Sequence, residues 1–160
     1  MVRLGDRFPE GGKAEHVTRQ LVPGQVLYLF CQFTHPPKEK YLVLVSVEPG
    51  PLLFVVNSRV SPFIADRPDL SKCQVMLAAS DYAFLDHDSF IDCSRAISLP
   101  EDEITSQLIA DLGRMRGTLS PTTRQQITRV VQAAQTISPA HKRAIELALA
   151  PGDVAVSGQD

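Results

Sequence analysis

PGQVLYLFCQFTHPPKEKYLVLVSVEPGPLLFVVNS, from Pro23 to Ser58, decides the fold. It holds three apolar runs: Gln25 to Phe33, Tyr41 to Val47 and Pro51 to Ser58. Each is rich in Val, Leu, Tyr and Phe, whose side chains suit a pleated, packed surface. Pro49, Gly50 and Pro51 leave too little chain for a helix between the second and third runs, so an antiparallel hairpin is the natural connection. Pro36 and Pro37 stiffen the other break, Thr34 to Lys40. A fourth run, Cys73 to Ser80, follows an irregular stretch that Pro62 and Pro68 exclude from a sheet interior. Short strands at this spacing predict a small antiparallel β-barrel. The second and third runs are near-continuous in Val, Leu and Phe, which predicts cover on both faces, from the C-terminal helices or from a second copy of the chain.

Working outward, Tyr82 to Cys93 supplies two shorter segments, Phe84 with Leu85 and Phe90 with Ile91. From Leu99 the period becomes helical. Pro100 followed by Glu101, Asp102 and Glu103 is a strong helix start, because acids favour the positive end of the helix dipole. Ile104, Leu108, Leu112 and Met115 share one face of that helix, with a stop expected at Gly113 or Gly117. Ser120-Pro121 and Ser138-Pro139 open two further helices, the last ending near Pro151. The expected organisation is an N-terminal arm over 1–20, one barrel-plus-helices domain over 21–150 and a disordered tail over 151–160. The class is α+β, mainly β.

Composition narrows the function. At 160 residues, with 44% hydrophobic and 21% charged residues, the chain has the make-up of one ordinary globular domain. Its apolar runs are shorter than a bilayer requires, and MVRLGDRFPEGGK has no signal-peptide core, which points to a cytoplasmic protein. Cys31, Cys73 and Cys93 are widely spaced inside or beside apolar runs, as expected of buried free thiols. No Gly-rich phosphate loop, nucleophile elbow or paired-cysteine zinc signature is present, which argues against nucleotide hydrolases, serine esterases and zinc ribbons. Charge is unevenly distributed: Gly113 to Arg143 holds six basic residues and no acidic one, whereas Asp81 to Asp92 holds four aspartates and no Lys or Arg. The basic stretch suits either an anionic partner or a solvated helix face. Asp86, His87, Asp88 and Asp92 could bind a divalent cation, but the turn-forming LDHDS composition favours loop-end capping.

The layout resembles the MazF/PemK-like toxins of bacterial toxin–antitoxin pairs. Pro23, Gly24, Gln25 and Val26 match the family's G-x-V opening strand, and Lys38 to Ser46 its basic loop and serine-ended strand. Leu52 to Ser58 matches a strand ending in hydroxyl residues; Ser89 to Arg95 and Gly117 to Ser120 match the later serine, basic residue and G-x-L-S helix entry. The resemblance covers roughly Pro23 to Thr136, through short motifs. It implies an SH3-like barrel with two or three C-terminal helices, a homodimer, an antitoxin partner and metal-independent cleavage of single-stranded RNA with no cofactor. The family's catalytic arginine falls on Lys40 and its hydroxyl on Ser58, with Lys38, Arg59, His35 and Asn57 in support around the substrate. Lysine can hold a phosphate as a point charge but lacks the bidentate fork of arginine, so the departure at Lys40 bears on catalysis more than on binding. The alternative is a barrel that lost the chemistry and binds protein or nucleic acid.

Overall fold

A computed structural model describes residues 21–151. The arm expected over 1–20 lies outside them, as does the tail beyond Pro151. The first three runs form β1 (Gln25–Cys31), β2 (Lys38–Ser46) and β3 (Leu52–Asn57), antiparallel neighbours joined in chain order. The irregular stretch after them folds into two single helical turns, α1 (Pro62–Ala65) and α2 (Pro68–Ser71), each with proline in its first turn. Next come β4 (Gln74–Leu77), β5 (Ser89–Ser98), α3 (Glu101–Ala110), a 3-10 turn over Leu112–Arg114, β6 (Met115–Thr118), α4 (Pro121–Ala133) and α5 (Pro139–Leu149).

All six strands join one antiparallel sheet in the order β4-β5-β3-β2-β1-β6. Register shifts interrupt three of its ladders, between Val26 and Leu27, Leu44 and Ser46, and Leu53 and Val55. Such irregularities bend strands and increase local twist, and the sheet curls into a half-barrel. It does not close as the sequence suggested, because β4 and β6 do not pair with each other. Helices fill that role. Ile127 and Val131 of α4 and Ile145 and Leu149 of α5 pack with Val26, Val43, Phe54, Val75 and Ile91 on one face. Ile104 and Leu108 of α3 pack with Leu27, Leu29, Leu42, Leu44 and Leu53 on the other. The cover expected for β2 and β3 is therefore supplied on both faces within one chain.

Three sequence expectations change. The paired segments at Phe84–Leu85 and Phe90–Ile91 are instead a turn and one ten-residue strand, β5, which runs between β3 and β4. The first helix stops at Ala110, before either glycine, because Asp111 leaves helical backbone geometry and its side chain accepts a hydrogen bond from Gly113 N. The segment from Met115 then pairs with β1, although it continues the helical period. Gly117 helps there, since a Cβ would stand 3.3 Å from the Phe84 ring. Finally, Lys38 and Lys40 lie on β2 itself, where Leu29 pairs with Lys40 and Cys31 with Lys38. Backbone pairing carries the strand past its apolar part.

The edge of β1 beyond β6 is finished by side chains. Gln107 accepts from Phe30 N at 2.8 Å and donates to Phe30 O at 3.1 Å, while Arg114 donates to Tyr28 O at 2.8 Å. These bonds satisfy backbone groups that would otherwise template pairing with another strand. At the start of β1, Gly24 has φ +97°, and an added Cβ would meet Arg124 Nη1 at 2.9 Å. Arg124 in turn donates to Pro23 O and Ala148 O, tying this turn to α4 and α5. Gly24→Ala is therefore expected to destabilise the fold by about 1–3 kcal/mol through backbone strain, read as a lower denaturant midpoint with an unchanged slope.

Candidate functional site

β2 outruns β3 at one end of the sheet, and a groove of ≈ 260 Å³ opens there. Tyr28, Lys38, Lys40, Tyr41, Asn57, Ser58, Phe84, Asp86, His87 and Ser89 are among the residues that line it. Three chain segments distant in sequence meet at this point: the β1–β2 pair, the end of β3, and the turn before β5. The groove is open to solvent, so charged and hydroxyl groups can occupy strand positions there without being sealed into apolar surroundings.

Lys40 is the best-defined member. Its ammonium donates to Asn57 Oδ1 at 2.5 Å across the β2–β3 ladder. Half-burial pushes the Lys40 pKa below the ordinary lysine value, and the neighbouring Lys38 charge lowers it further; Cys31 and Asp92 act in the opposite direction. Glu39, between the two lysines, is paired instead with Arg114 at 2.6 Å. That pairing follows from strand alternation, which sends Glu39 to the opposite face from its neighbours. Among the described residues, neither Lys38 nor Lys40 has a salt-bridge partner, so both ammonium groups remain available to an anion.

The hydroxyl position expected at Ser58 is exposed, one residue past β3, and lines the same groove. The direct partner of Lys40 is nevertheless Asn57, because Asn57 is in the ladder and Ser58 is beyond it. His35 and Arg59 are exposed and do not line the groove. His87 does. Its Nδ1 lies 3.0 Å from the Asp88 carbonyl oxygen and 3.5 Å from Ser89 Oγ. A carbonyl can only accept, so this contact requires the proton on Nδ1 and leaves Nε2 as the acceptor of a neutral ring. The groove thus holds a cation, a hydroxyl and an imidazole, the three kinds of group that proton transfer beside a charged phosphate uses.

The acidic cluster separates by role. Asp88 accepts from Ala79 N at 2.8 Å and closes the loop before β5. Asp92 accepts from Gln74 Nε2 at 2.9 Å, from Ser94 N at 3.0 Å and from Ser94 Oγ at 2.5 Å. The Asp88 contact is the loop-end capping that the LDHDS composition suggested, whereas Asp92 bonds from within β5 and Asp86 stays exposed in the groove wall. The basic stretch from Gly113 to Arg143 is dispersed too. Arg114, Arg124 and Lys142 donate to backbone carbonyls, Arg129 and Arg143 line a separate α4–α5 groove, and Arg116 stands over the Tyr28 ring.

No protein-family model matches the chain, and no curated protein matches it in sequence. The site is accordingly defined by its own geometry. The Lys40 side chain is expected to titrate below the ordinary lysine range when followed by NMR, and Lys38→Gln should raise that pKa by removing a like charge. An unshifted Lys40 in the parent chain, or no response to Lys38→Gln, would contradict the electrostatics described here.

Proposed function

We propose that the chain is a toxin-like protein of a toxin–antitoxin pair that acts on single-stranded RNA at this groove, as an endoribonuclease that needs no metal. The observation that carries the reading is the unneutralised Lys38–Lys40 pair, with Lys40 oriented by Asn57 beside the Ser58 hydroxyl. Lys38 would hold the backbone phosphate. Lys40 would steady the charge that builds on the phosphorus oxygens as the 2′-hydroxyl attacks. Ser58 would donate to the same oxygens. His87 lines the same groove, and its Nε2 would accept the 2′-hydroxyl proton.

The fold is compatible with this reading. A curled antiparallel sheet with three longer helices keeps the α+β, mainly β make-up of that reading, although the sheet stays open. The same reading carries a homodimer, and an antitoxin segment that competes with RNA for the groove. Among the described residues no helix is long and apolar enough to cross a membrane.

A second reading, a module that binds RNA without cutting it, is favoured by one specific observation. The Lys40 ammonium is already engaged by Asn57 and has no planar fork with which to clamp a phosphate on two oxygens. Incubation with single-stranded RNA, with and without a chelator, separates the two. Cutting that persists with chelator and falls by roughly 100-fold or more in Lys40→Ala supports the enzyme, with a smaller loss expected in Ser58→Ala. Binding without product, weakened in Lys38→Gln and Lys40→Ala with a shallower salt dependence, supports the module. Product formation abolished by the chelator would overturn both.

A further inference from the structure

Four aromatic rings from three parts of the chain form a continuous strip that starts on the sheet face of Glu39. Tyr28 and Tyr41 are register partners on β1 and β2, with ring centroids 4.7 Å apart at 49°. Phe84, from the turn before β5, lies 5.3 Å beyond Tyr41, and Tyr82 lies 5.8 Å beyond Phe84. The Arg116 guanidinium, from β6, stands 5.0 Å over the Tyr28 ring at the other end.

The strip divides into a structural and an open part. Tyr82 is buried; its hydroxyl oxygen accepts from Ser120 N at 3.0 Å and lies 2.8 Å from Thr123 Oγ1, fixing the start of α4. Tyr41 donates to Phe84 O at 3.1 Å and holds the turn in place. Tyr28, Tyr41 and Phe84 are only half-buried, and all three line the groove that Lys38 and Lys40 also line. A cluster serving packing alone would close over its rings. Here they remain in a groove wall, one under an exposed arginine.

We infer that Tyr28, Tyr41 and Arg116 form a stacking subsite for an unpaired base of a single strand bound in this groove. This rests on the RNA reading above and adds the means by which the chain favours single strands. Every base presents a π-face that stacks on tyrosine or against a guanidinium plane, and only an unpaired base can splay out to do so. A double helix, with its bases stacked inside, presents nothing for the strip.

The chain has three tyrosines and no tryptophan, so tyrosine fluorescence reports the site directly. The test titrates the full chain with a 2′-O-methyl oligoribonucleotide, which cannot be cut through its 2′ position, and with an abasic oligomer of equal length. The base-bearing strand should quench fluorescence and bind roughly 5- to 150-fold more tightly than the abasic one. Tyr28→Ala should erase that preference while keeping the parent's salt dependence; Tyr28→Phe should keep the preference, and Arg116→Gln should reduce it. Equal affinity of the parent for the two oligomers overturns the stacking subsite and leaves the RNA reading standing, as does an undiminished preference in Tyr28→Ala. Binding of neither oligomer, with Tyr28→Phe folded as the parent, overturns the RNA reading itself.

Discussion

Burial of β2 and β3 from both sides is the constraint on which the rest of the structure depends. Leu42, Leu44 and Leu53 face α3, and Val43, Val45 and Phe54 face α4 and α5. At ~25 cal/mol per Å² of apolar surface removed from water, two strands with no solvent-facing apolar side anchor the sheet more firmly than an alternating pair would. The same constraint excludes charge from the middle of the sheet, since an unpaired charge buried there would carry a large desolvation cost. Charged groups on β2 are thereby confined to the strand end. The groove forms at such an end, where β2 continues as Lys38, Glu39 and Lys40 after its apolar part.

That placement explains the character of the site. Lys40 is near enough to the core for burial to disfavour its charge, yet open enough to reach the groove. The three thiols show the fully buried limit of the same effect. Burial raises the pKa of Cys31, Cys73 and Cys93, most strongly at Cys93, which keeps them protonated and poorly nucleophilic. Basic residues with structural work are held by carbonyls: Arg114 against β1 and Arg124 across the Gly24 turn. Arg114 also takes Glu39, leaving the lysines on either side uncompensated. Local charge at the groove is thus set by pairings made elsewhere, although the whole chain carries a net charge of only -2.

Much of the fold was legible because it rests on local rules. Four apolar runs gave β1 to β4, Pro49 to Pro51 gave the β2–β3 connection, and Ser120-Pro121 and Ser138-Pro139 gave the starts of α4 and α5. β6 was not legible. Its first residue, Met115, continues the helical period of α3, and pairing with the edge of β1 makes the segment a strand. β5 looked shorter than it is because Asp92, Ser94 and Arg95 break its apolar pattern, while β3 and β4 on either side supply the hydrogen bonds that extend it. At the site, Lys38, Lys40, Asn57 and Ser58 could be read from sequence because two adjacent strands bring them together. His87, Tyr28 and Arg116 could not be placed beside them, since each comes from a different part of the chain.

The sequence by itself determined the class of the fold, the hairpin at its centre, the helix starts and the basic character of the start of β2. Periodicity, turn chemistry and capping act over a few residues, and they are written in the order of the chain. Only the tertiary structure decided that the sheet stays an open half-barrel, that Asn57 is the partner of Lys40, and that an imidazole and part of an aromatic strip line the same groove. These depend on register and on which elements meet across the sheet. Such contacts are fixed by the joint packing of the two apolar clusters, and no local pattern encodes them.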